Sequence, residues 1–526
     1  MLKINGRART KKSIPLLTDE VLLILERLHK TLNPQRLQLL QNREICQAEY
    51  DKGQVPTYID DHPAHQSHWQ VAPIPEVLTQ RRVEITGPIN NSKMVINMLS
   101  EGSDGTIADM AMLDFEDSMM PAWSNVIDGL YNIIGVARGD LDYVQPASEN
   151  KNEKTYKLNP KKMAYPMVRV RGLHLNESNI EIDGEKISAG LFDLTMTAYH
   201  TAKIFLKKGM TPKFYIPKCE HYLESRWWNE LFSLVEEELK IPKASMRATF
   251  LIETLPAAFQ MEEILYEFKE RACGLNGGRW DKIFSDIKIL KNHPDKIMPN
   301  RSTITMLKPW MDNYVKLLIK TCHKRGAFGM GGMSAFTPGS DAETRDKQTK
   351  KVKEDKAREA SIGHDGCWVS HPYFIGIAKE QFKKKNQLDV KLEDFPDRPN
   401  LIPESDGPKT IEGLRTNIRV GIAYVEGWNR EIGCVAFDNL MEDLATLEIS
   451  RAQTWQWLHH KVKLDDGTIV TKELITTLFE EECEKILNEN DNHQLKDRYN
   501  KAKDDAKNLF LQKHLINFIA NDSPLA

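Results

Sequence analysis

Between about residues 108 and 372 the chain alternates short apolar runs with stretches of helical periodicity. Most neighbouring runs are separated by a segment long enough for a helix, such as Ser188–Lys208. Alternation of this kind is typical of βα units, and eight units in about 265 residues predict a (β/α)₈ TIM barrel of the α/β class. The eight runs are MAMLDF (110–115), AYPMVRVR (164–171), KFYIPK (213–218), RATFLIE (247–253), ACGLNGG (272–278), TITML (303–307), AFGMGG (327–332) and GCWVSHP (366–372).

Helical patterns flank this region on both sides. Residues 14–52 predict two helices separated at Pro34, and an irregular segment rich in proline and histidine follows at 53–80. The long polar connection Ala122–Met163 predicts a small insertion near 138–165. After the barrel, a Pro- and Asp-rich linker is expected at 386–412, and helical patterns return at 413–429, 439–461 and 472–519. We therefore expect four parts, at 1–80, 81–385, 386–412 and 413–526.

Composition narrows the class of function. A chain of 526 residues allows two to four domains, and 72 basic against 75 acidic residues give a net charge of −3, without the basic surplus of a nucleic-acid-binding protein. No apolar run approaches the roughly 20 residues of a membrane helix. The basic segment 1–13 lacks an apolar signal core, so we expect an unstructured leader rather than a secretion signal. Seven scattered cysteines without metal-type spacing favour a cytoplasmic location, and the sequence leaves the oligomeric state open.

Two carboxylates stand where an apolar run gives way to a helical pattern. Glu253 follows the run 247–252, and Asp281 follows the glycine-rich segment 274–278. Carboxylates at the ends of neighbouring parallel strands would form an oxygen-lined site of the kind that Mg²⁺ accepts, with positions left for water and substrate. The alternative is that Glu253 caps a helix or forms an ion pair, and that Asp281 only begins a helix.

Other polar groups also stand at the predicted strand ends. Arg169 and Arg171 are two apart, which places them on one face of a strand, and Lys218 ends the next run. Cations beside a metal suit a small dianionic or enolate-forming substrate, because positive charge stabilises the developing enolate oxygen. In the helical tail, Asp443 has two interpretations: a functional carboxylate, or an ordinary acidic residue at a helix N-terminus.

Several long blocks resemble malate synthase in its A-type form, and they run in the family's order over most of residues 80–460. The blocks are RRVEITGP (81–88), DFEDSMMPAWSNVIDG (114–129), VRVRGLHL (168–175), RATFLIETLPAAFQMEEILYE (247–267), GLNGGRWDKIFS (274–285), LIKTCHKRGAFGMGGMSA (318–335) and NLMEDLATLEISRAQTWQW (439–457).

The resemblance implies a Mg²⁺-dependent condensation of acetyl-CoA with glyoxylate, followed by hydrolysis to malate and CoA, as a step of the glyoxylate cycle. It also implies that the N-terminal helices form a clasp and that residues 413–526 form a plug over the barrel. Motif by motif, the metal ligands fall on Glu253 and Asp281, the catalytic arginine on Arg169 and the general base on Asp443. Backbone N–H groups of Gly278, Arg279, Trp280 and Asp281 would hold the glyoxylate carboxylate.

The chain departs from the family pattern at a few positions. Gly277 stands where the family usually has Cys, and Leu130-Tyr131-Asn132-Ile133 stands where it often has Gln-Ile-Asn-Leu. One alternative is a Mg²⁺-dependent CoA-ester lyase or aldolase of the citrate-lyase type, which would not need Asp443. A second alternative is a pseudoenzyme scaffold, which predicts the loss of at least one functional residue.

Overall fold

The computed structural model describes residues 2–66, 68–147, 152–489 and 492–519. Its centre is a closed barrel of eight parallel strands in the order β2-β3-β6-β9-β10-β11-β12-β13, which confirms the predicted TIM barrel. The strands of the described chain are β1 Leu2–Ile4, β2 Val83–Pro88, β3 Met110–Asp114, β4 Asp142–Gln145, β5 Lys154–Lys157, β6 Tyr165–Arg169, β7 Asn176–Ile182, β8 Glu185–Ser188, β9 Lys213–Ile216, β10 Arg247–Ile252, β11 Ala272–Gly277, β12 Phe328–Ser334, β13 Gly366–Val369, β14 Val435–Phe437 and β15 Leu440–Glu442.

The helices surround the barrel and extend beyond it at the C-terminal end of the chain. They are α1 Asp19–Tyr50, α2 Pro63–Gln66, α3 Ser92–Leu99, α4 Trp123–Arg138, α5 Ala189–Lys207, α6 Tyr222–Leu239, α7 Leu255–Ala258, α8 Met261–Glu267, α9 Trp280–Ile289, α10 Pro309–Lys324, α11 Ala342–Ile362, α12 Ile375–Lys379, α13 Ile411–Trp428, α14 Leu444–His459, α15 Lys472–Glu489 and α16 Lys496–Phe510. In the part of the chain that the structure describes, no helix combines the length and the apolar character needed to cross a bilayer.

One of the eight predicted strands is wrong. The run TITML (303–307) is not a strand, because Arg301–Thr303 forms one 3₁₀ turn and buried Ile304 packs beside Ile283 of α9. The missing barrel strand is β2, which pairs with β13 on one side and β3 on the other. Its Glu84 interrupts an apolar pattern, but this side chain is buried and paired with Arg81 inside the barrel.

The N-terminal segment differs from the expectation in two ways. Leu2–Ile4 is not an unstructured leader, since it pairs antiparallel with Ile180–Ile182 in a small sheet with β8. In addition, α1 continues through Pro34 as one helix. A proline inside a helix removes a hydrogen bond and is destabilising. Here tertiary contacts hold both sides of the proline, because Leu32 is buried and Arg36 donates to the carbonyls of Leu173 and Leu175.

The segment between α4 and β6 contains an antiparallel hairpin of β4 and β5. It falls in the predicted insertion near 138–165, of which residues 148–151 lie outside the described chain. Residues 439–443, which read as helical, instead include β15, which pairs with β14 in a second hairpin. The helical pattern starts only at Leu444, and α14 then packs on α9 through Ile449 and Ala452.

Candidate active site

The last residues of β3 and β6 form an arginine–carboxylate pair at the C-terminal mouth of the barrel. Arg169, the last residue of β6, donates from Nε and Nη2 to the two oxygens of Asp114 at 2.7 and 2.6 Å. Burial raises the pKa of Asp114, but the Arg169 guanidinium more than offsets this and holds it below its usual value. The N–H groups of Glu116 and Ser118 also donate to Asp114, so both the arginine and the loop are fixed.

Four carboxylates surround the ammonium group of Lys218. Its Nζ lies 2.6 Å from Asp117 Oδ2, 3.1 Å from Glu116 Oε1, 3.2 Å from Asp281 Oδ1 and 3.9 Å from Glu253 Oε1. Arg169 Nη1 approaches the same acidic pair, at 3.3 Å from Glu116 and 3.5 Å from Asp117. The acids of the β3 loop and the predicted metal pair therefore form one cluster.

The predicted metal pair consists of two carboxyl groups whose pKa values are both raised. Glu253 directly follows β10, and Asp281 lies in the first turn of α9. Burial and the nearby Asp281 charge raise the pKa of Glu253 to about 8, and burial also raises the pKa of Asp281. Asp281 Oδ1 is buried and accepts no hydrogen bond from the described residues. Carboxylate pairs of this kind are ligands that hard divalent cations accept.

Residues 278–281 form the start of α9 and the two residues before it, and they present a helix N-terminus to this cluster. No side chain caps α9, so its first N–H groups remain available to an anion. The Arg279 guanidinium lies 4.5 Å from the centre of the Trp280 ring, and its Nε donates to the Ile304 carbonyl at 3.0 Å. A Cβ on Gly278 would lie 3.3 Å from Glu253 Cβ, so a larger residue there would crowd the metal pair.

Asp443 reaches the same place from the C-terminal helices. It is the N-cap residue of α14, but its side chain caps no N–H of that helix. The next residue, Leu444, donates its N–H to the Asp117 carbonyl at 3.0 Å, and Met441 N–H donates to the Ala335 carbonyl at 2.8 Å. Burial, Asp117 and Asp281 together raise the pKa of Asp443 well above its usual value.

All seven residues predicted for the site line one enclosed cavity. These are Arg169, Glu253, Gly278, Arg279, Trp280, Asp281 and Asp443. The cavity has a volume of about 50 Å³, which is room for a few water-sized groups. Its floor includes residues that the sequence did not single out: Thr86, Leu251, Asn276, Met333 and Trp368. They lie on barrel strands or directly after them, and only the correct strand register would have identified them.

Arg171 does not belong to this cavity. It lies two residues beyond the end of β6 and forms ion pairs with Glu177 at 3.0 Å and Asp193 at 2.7 Å. The two arginines therefore do not face the same site, because β6 ends at Arg169 and Arg171 pairs with other acids.

The fold and the cavity define a class of protein: a TIM-barrel enzyme whose buried acids, arginine and lysine surround a small site at the barrel mouth. Three family models match along the chain, described as "Malate synthase, N-terminal domain" (residues 8–61), "Malate synthase, TIM barrel domain" (166–401) and "Malate synthase, C-terminal" (408–523). Together they span most of its length.

Known relatives agree with these models. Malate synthase of Myxococcus xanthus is 45% identical over 92% of this chain and 88% of its own length. Malate synthase A of Escherichia coli is 44% identical over 90% of this chain and 88% of its own length. A solved Haloferax volcanii malate synthase, in a pyruvate/acetyl-CoA ternary complex, matches 81% of this chain and 98% of its own at 14% identity and a TM-score of 0.47. The chain belongs to the malate synthase family.

The resemblance inferred from the sequence blocks is thereby confirmed, and the chain has malate synthase function, an acyltransferase activity. Relatives at 44–45% identity over about nine-tenths of the chain favour this over a citrate-lyase-type lyase or a scaffold without activity.

Proposed function

We propose that the cavity condenses acetyl-CoA with glyoxylate, with Glu253 and Asp281 holding a Mg²⁺ ion, and that the hydrolysis to malate and CoA follows there. The observation that carries the proposal is the placement of Glu253 and Asp281 in one cavity, where burial and the Asp281 charge raise the pKa of Glu253 to about 8 and the Lys218 ammonium lies 3.2 Å from Asp281 Oδ1. When bound, Mg²⁺ would supply a Lewis acid for the aldehyde oxygen of glyoxylate.

The residues around the metal pair have distinct proposed roles. The N–H groups of Gly278, Arg279, Trp280 and Asp281, at the uncapped start of α9, would hold the glyoxylate carboxylate. Arg169 would stabilise the enolate oxygen of acetyl-CoA as it forms, because Asp114 already fixes its guanidinium at the cavity wall.

Asp443 would remove the proton from the acetyl methyl group. A general base needs a pKa near the working pH, and burial beside Asp117 and Asp281 shifts the pKa of Asp443 in that direction. The enolate carbon would then attack the aldehyde carbon of glyoxylate, and water would cleave the resulting thioester.

The parts of the chain would share this work. We propose that residues 1–80 form a clasp, that 81–385 form the barrel with its insertion near 138–165, and that 386–412 link it to a plug of 413–526 that supplies Asp443. We propose a cytoplasmic location because all seven cysteines are free, as is usual in a reducing compartment. The oligomeric state does not enter the proposal.

The test begins with the metal. Exhaustive chelation of the wild-type enzyme should abolish CoA release that depends on glyoxylate, and added Mg²⁺ should restore it. Asp281→Asn should lose at least 100-fold in turnover while its circular dichroism spectrum and Tm stay near the wild type. Asp295→Asn, at an exposed position outside the cavity, serves as the matched control. Full activity after chelation would overturn the metal assignment.

A further inference from the structure

Lys218 occupies an unusual position between the two acidic groups of the site. Its Nζ lies 2.6 Å from Asp117 and 3.1 Å from Glu116 on one side, and 3.2 Å from Asp281 on the other. The side chain is buried, with only 4% of it exposed. Three carboxylate oxygens, from Asp117, Glu116 and Asp281, thus pair with one buried ammonium group.

The backbone of Lys218 is built to hold it there. Its φ is +52°, in the left-handed region that non-glycine residues rarely adopt. The backbone N–H donates to Glu253 Oε1 at 2.9 Å, so one residue contacts the metal pair through its main chain and the acidic loop through its side chain. Strained backbone of this kind persists where the surrounding structure enforces it, and it is frequent at functional sites.

The charge of the site explains what the lysine does. Six carboxyl groups meet here, those of Asp114, Glu116, Asp117, Glu253, Asp281 and Asp443, and Arg169 is already engaged in a bidentate pair with Asp114. Without Lys218, Glu116 and Asp117 would keep only the longer contacts to Arg169. Their negative charge would then attract a metal cation more strongly and repel a carboxylate substrate.

We propose that Lys218 is a positioning residue that balances the charge of this site, so that an anionic two-carbon oxo acid can bind beside the metal at the expense of metal affinity. This role of Lys218 rests on the proposed function and adds that one charge sets the relative affinities for the metal and for the anionic substrate. A charge-balancing role predicts that removing the ammonium shifts the binding of cation and anion in opposite directions, whereas a purely structural role predicts that both weaken together.

The decisive experiment measures both constants on the full-length enzyme. Lys218→Met should bind Mg²⁺ at least tenfold more tightly in calorimetric titration of chelator-treated protein. Its KM for glyoxylate at saturating Mg²⁺ should rise at least tenfold. Lys218→Arg, which keeps the charge, should return both constants toward the wild-type values.

A matched control separates charge at the site from the loss of any buried lysine. Lys356 is fully buried and paired with Asp355 and Glu359, both at 3.1 Å. Lys356→Met should lower Tm without shifting the two constants in opposite directions. Should Lys218→Met not fold, Asp117→Asn gives the reciprocal test: it removes one negative charge, so it should weaken Mg²⁺ binding at least tenfold and lower the KM for glyoxylate.

The outcomes distinguish the two proposals. If the wild type binds no Mg²⁺, both the metal assignment and the role of Lys218 are overturned. If the wild type binds Mg²⁺ but the folded Lys218→Met binds it equally or more weakly, or keeps its KM for glyoxylate, only the role of Lys218 is overturned.

Discussion

Replacing Asp443 by Asn tests whether a residue from outside the barrel serves as the base. Asparagine has nearly the same shape but cannot accept the proton. The side chain caps no helix N–H, so the change removes no capping bond. Because burial, Asp117 and Asp281 raise the pKa of Asp443, a neutral side chain avoids both the burial of a charge and the repulsion, and we expect an unchanged or higher Tm. Turnover should fall by ~10²–10⁴, or about 3–5 kcal/mol in activation free energy.

The pH dependence gives a second signature. The base works only when deprotonated, so the rate should rise with pH through the pKa of Asp443, in a limb above the usual carboxyl range. Stability should change in the opposite sense. The pKa of Asp443 is higher in the folded than in the unfolded state, so between these two pKa values the folded state binds more protons. The contribution of Asp443 to the free energy of unfolding therefore falls as pH rises from the unfolded pKa to the folded pKa. Both effects should disappear in Asp443→Asn.

Two measurements and one control complete this test. Release of CoA measures condensation, and exchange of acetyl-CoA methyl protons with D₂O, followed by NMR, measures proton removal alone. Glu442→Gln is the control, since Glu442 is the buried neighbouring acid and faces Arg301; it should retain exchange within a few-fold. If Asp443→Asn exchanges methyl protons at a near-normal rate, the base is elsewhere, and Glu116 or Asp117 becomes the next candidate.

Three further substitutions test the site and the strand beneath it. Arg169→Lys and Arg171→Lys should both lower Tm, because each arginine has a buried bidentate partner. At temperatures well below Tm, only Arg169→Lys should lose turnover. Equal losses of turnover in the two variants would contradict the assignment of Arg169. Gly277→Ala should raise the free energy of unfolding by about 0.5–1 kcal/mol, measured by urea titration, with activity retained, because glycine inside a strand is less favourable than alanine. The structure has room for the methyl group, since the nearest atom to a new Cβ, Tyr314 Oη, is 3.4 Å away. Destabilisation would show that the strand has no room for a side chain.

The residues at the barrel mouth were predictable from local signals. Glu253 and Arg169 stand at or directly after strand ends, and parallel strands in a barrel bring those ends together. Asp281 follows the same logic one helix turn later. The cavity lining was harder to predict, because Thr86 lies on β2, the strand that the sequence analysis missed.

The errors have a common physical origin. Glu84 made β2 look unlike a buried strand, and only the fold supplies the Tyr215 hydroxyl that donates to it. Ile304 made TITML look like a strand, although its apolar character serves contacts with α9. In both cases the burial of a residue depends on partners distant in the sequence, which local periodicity cannot reveal.

The position of Asp443 depends on such distant contacts most of all. No local pattern links it to the barrel. It is brought there by the packing of α14 on α9, through Ile449 and Ala452 against Ile283 and Ile287, and by the backbone hydrogen bond from Leu444 to Asp117. Because the two helices pack together, their N-termini, which bear Asp281 and Asp443, open onto the same cavity. Helix N-termini carry partial positive charge. The N-termini of α9 and α14 therefore partly offset the negative charge of the six carboxyl groups. Arg169 and Lys218 supply the remaining positive charge that an anionic substrate requires.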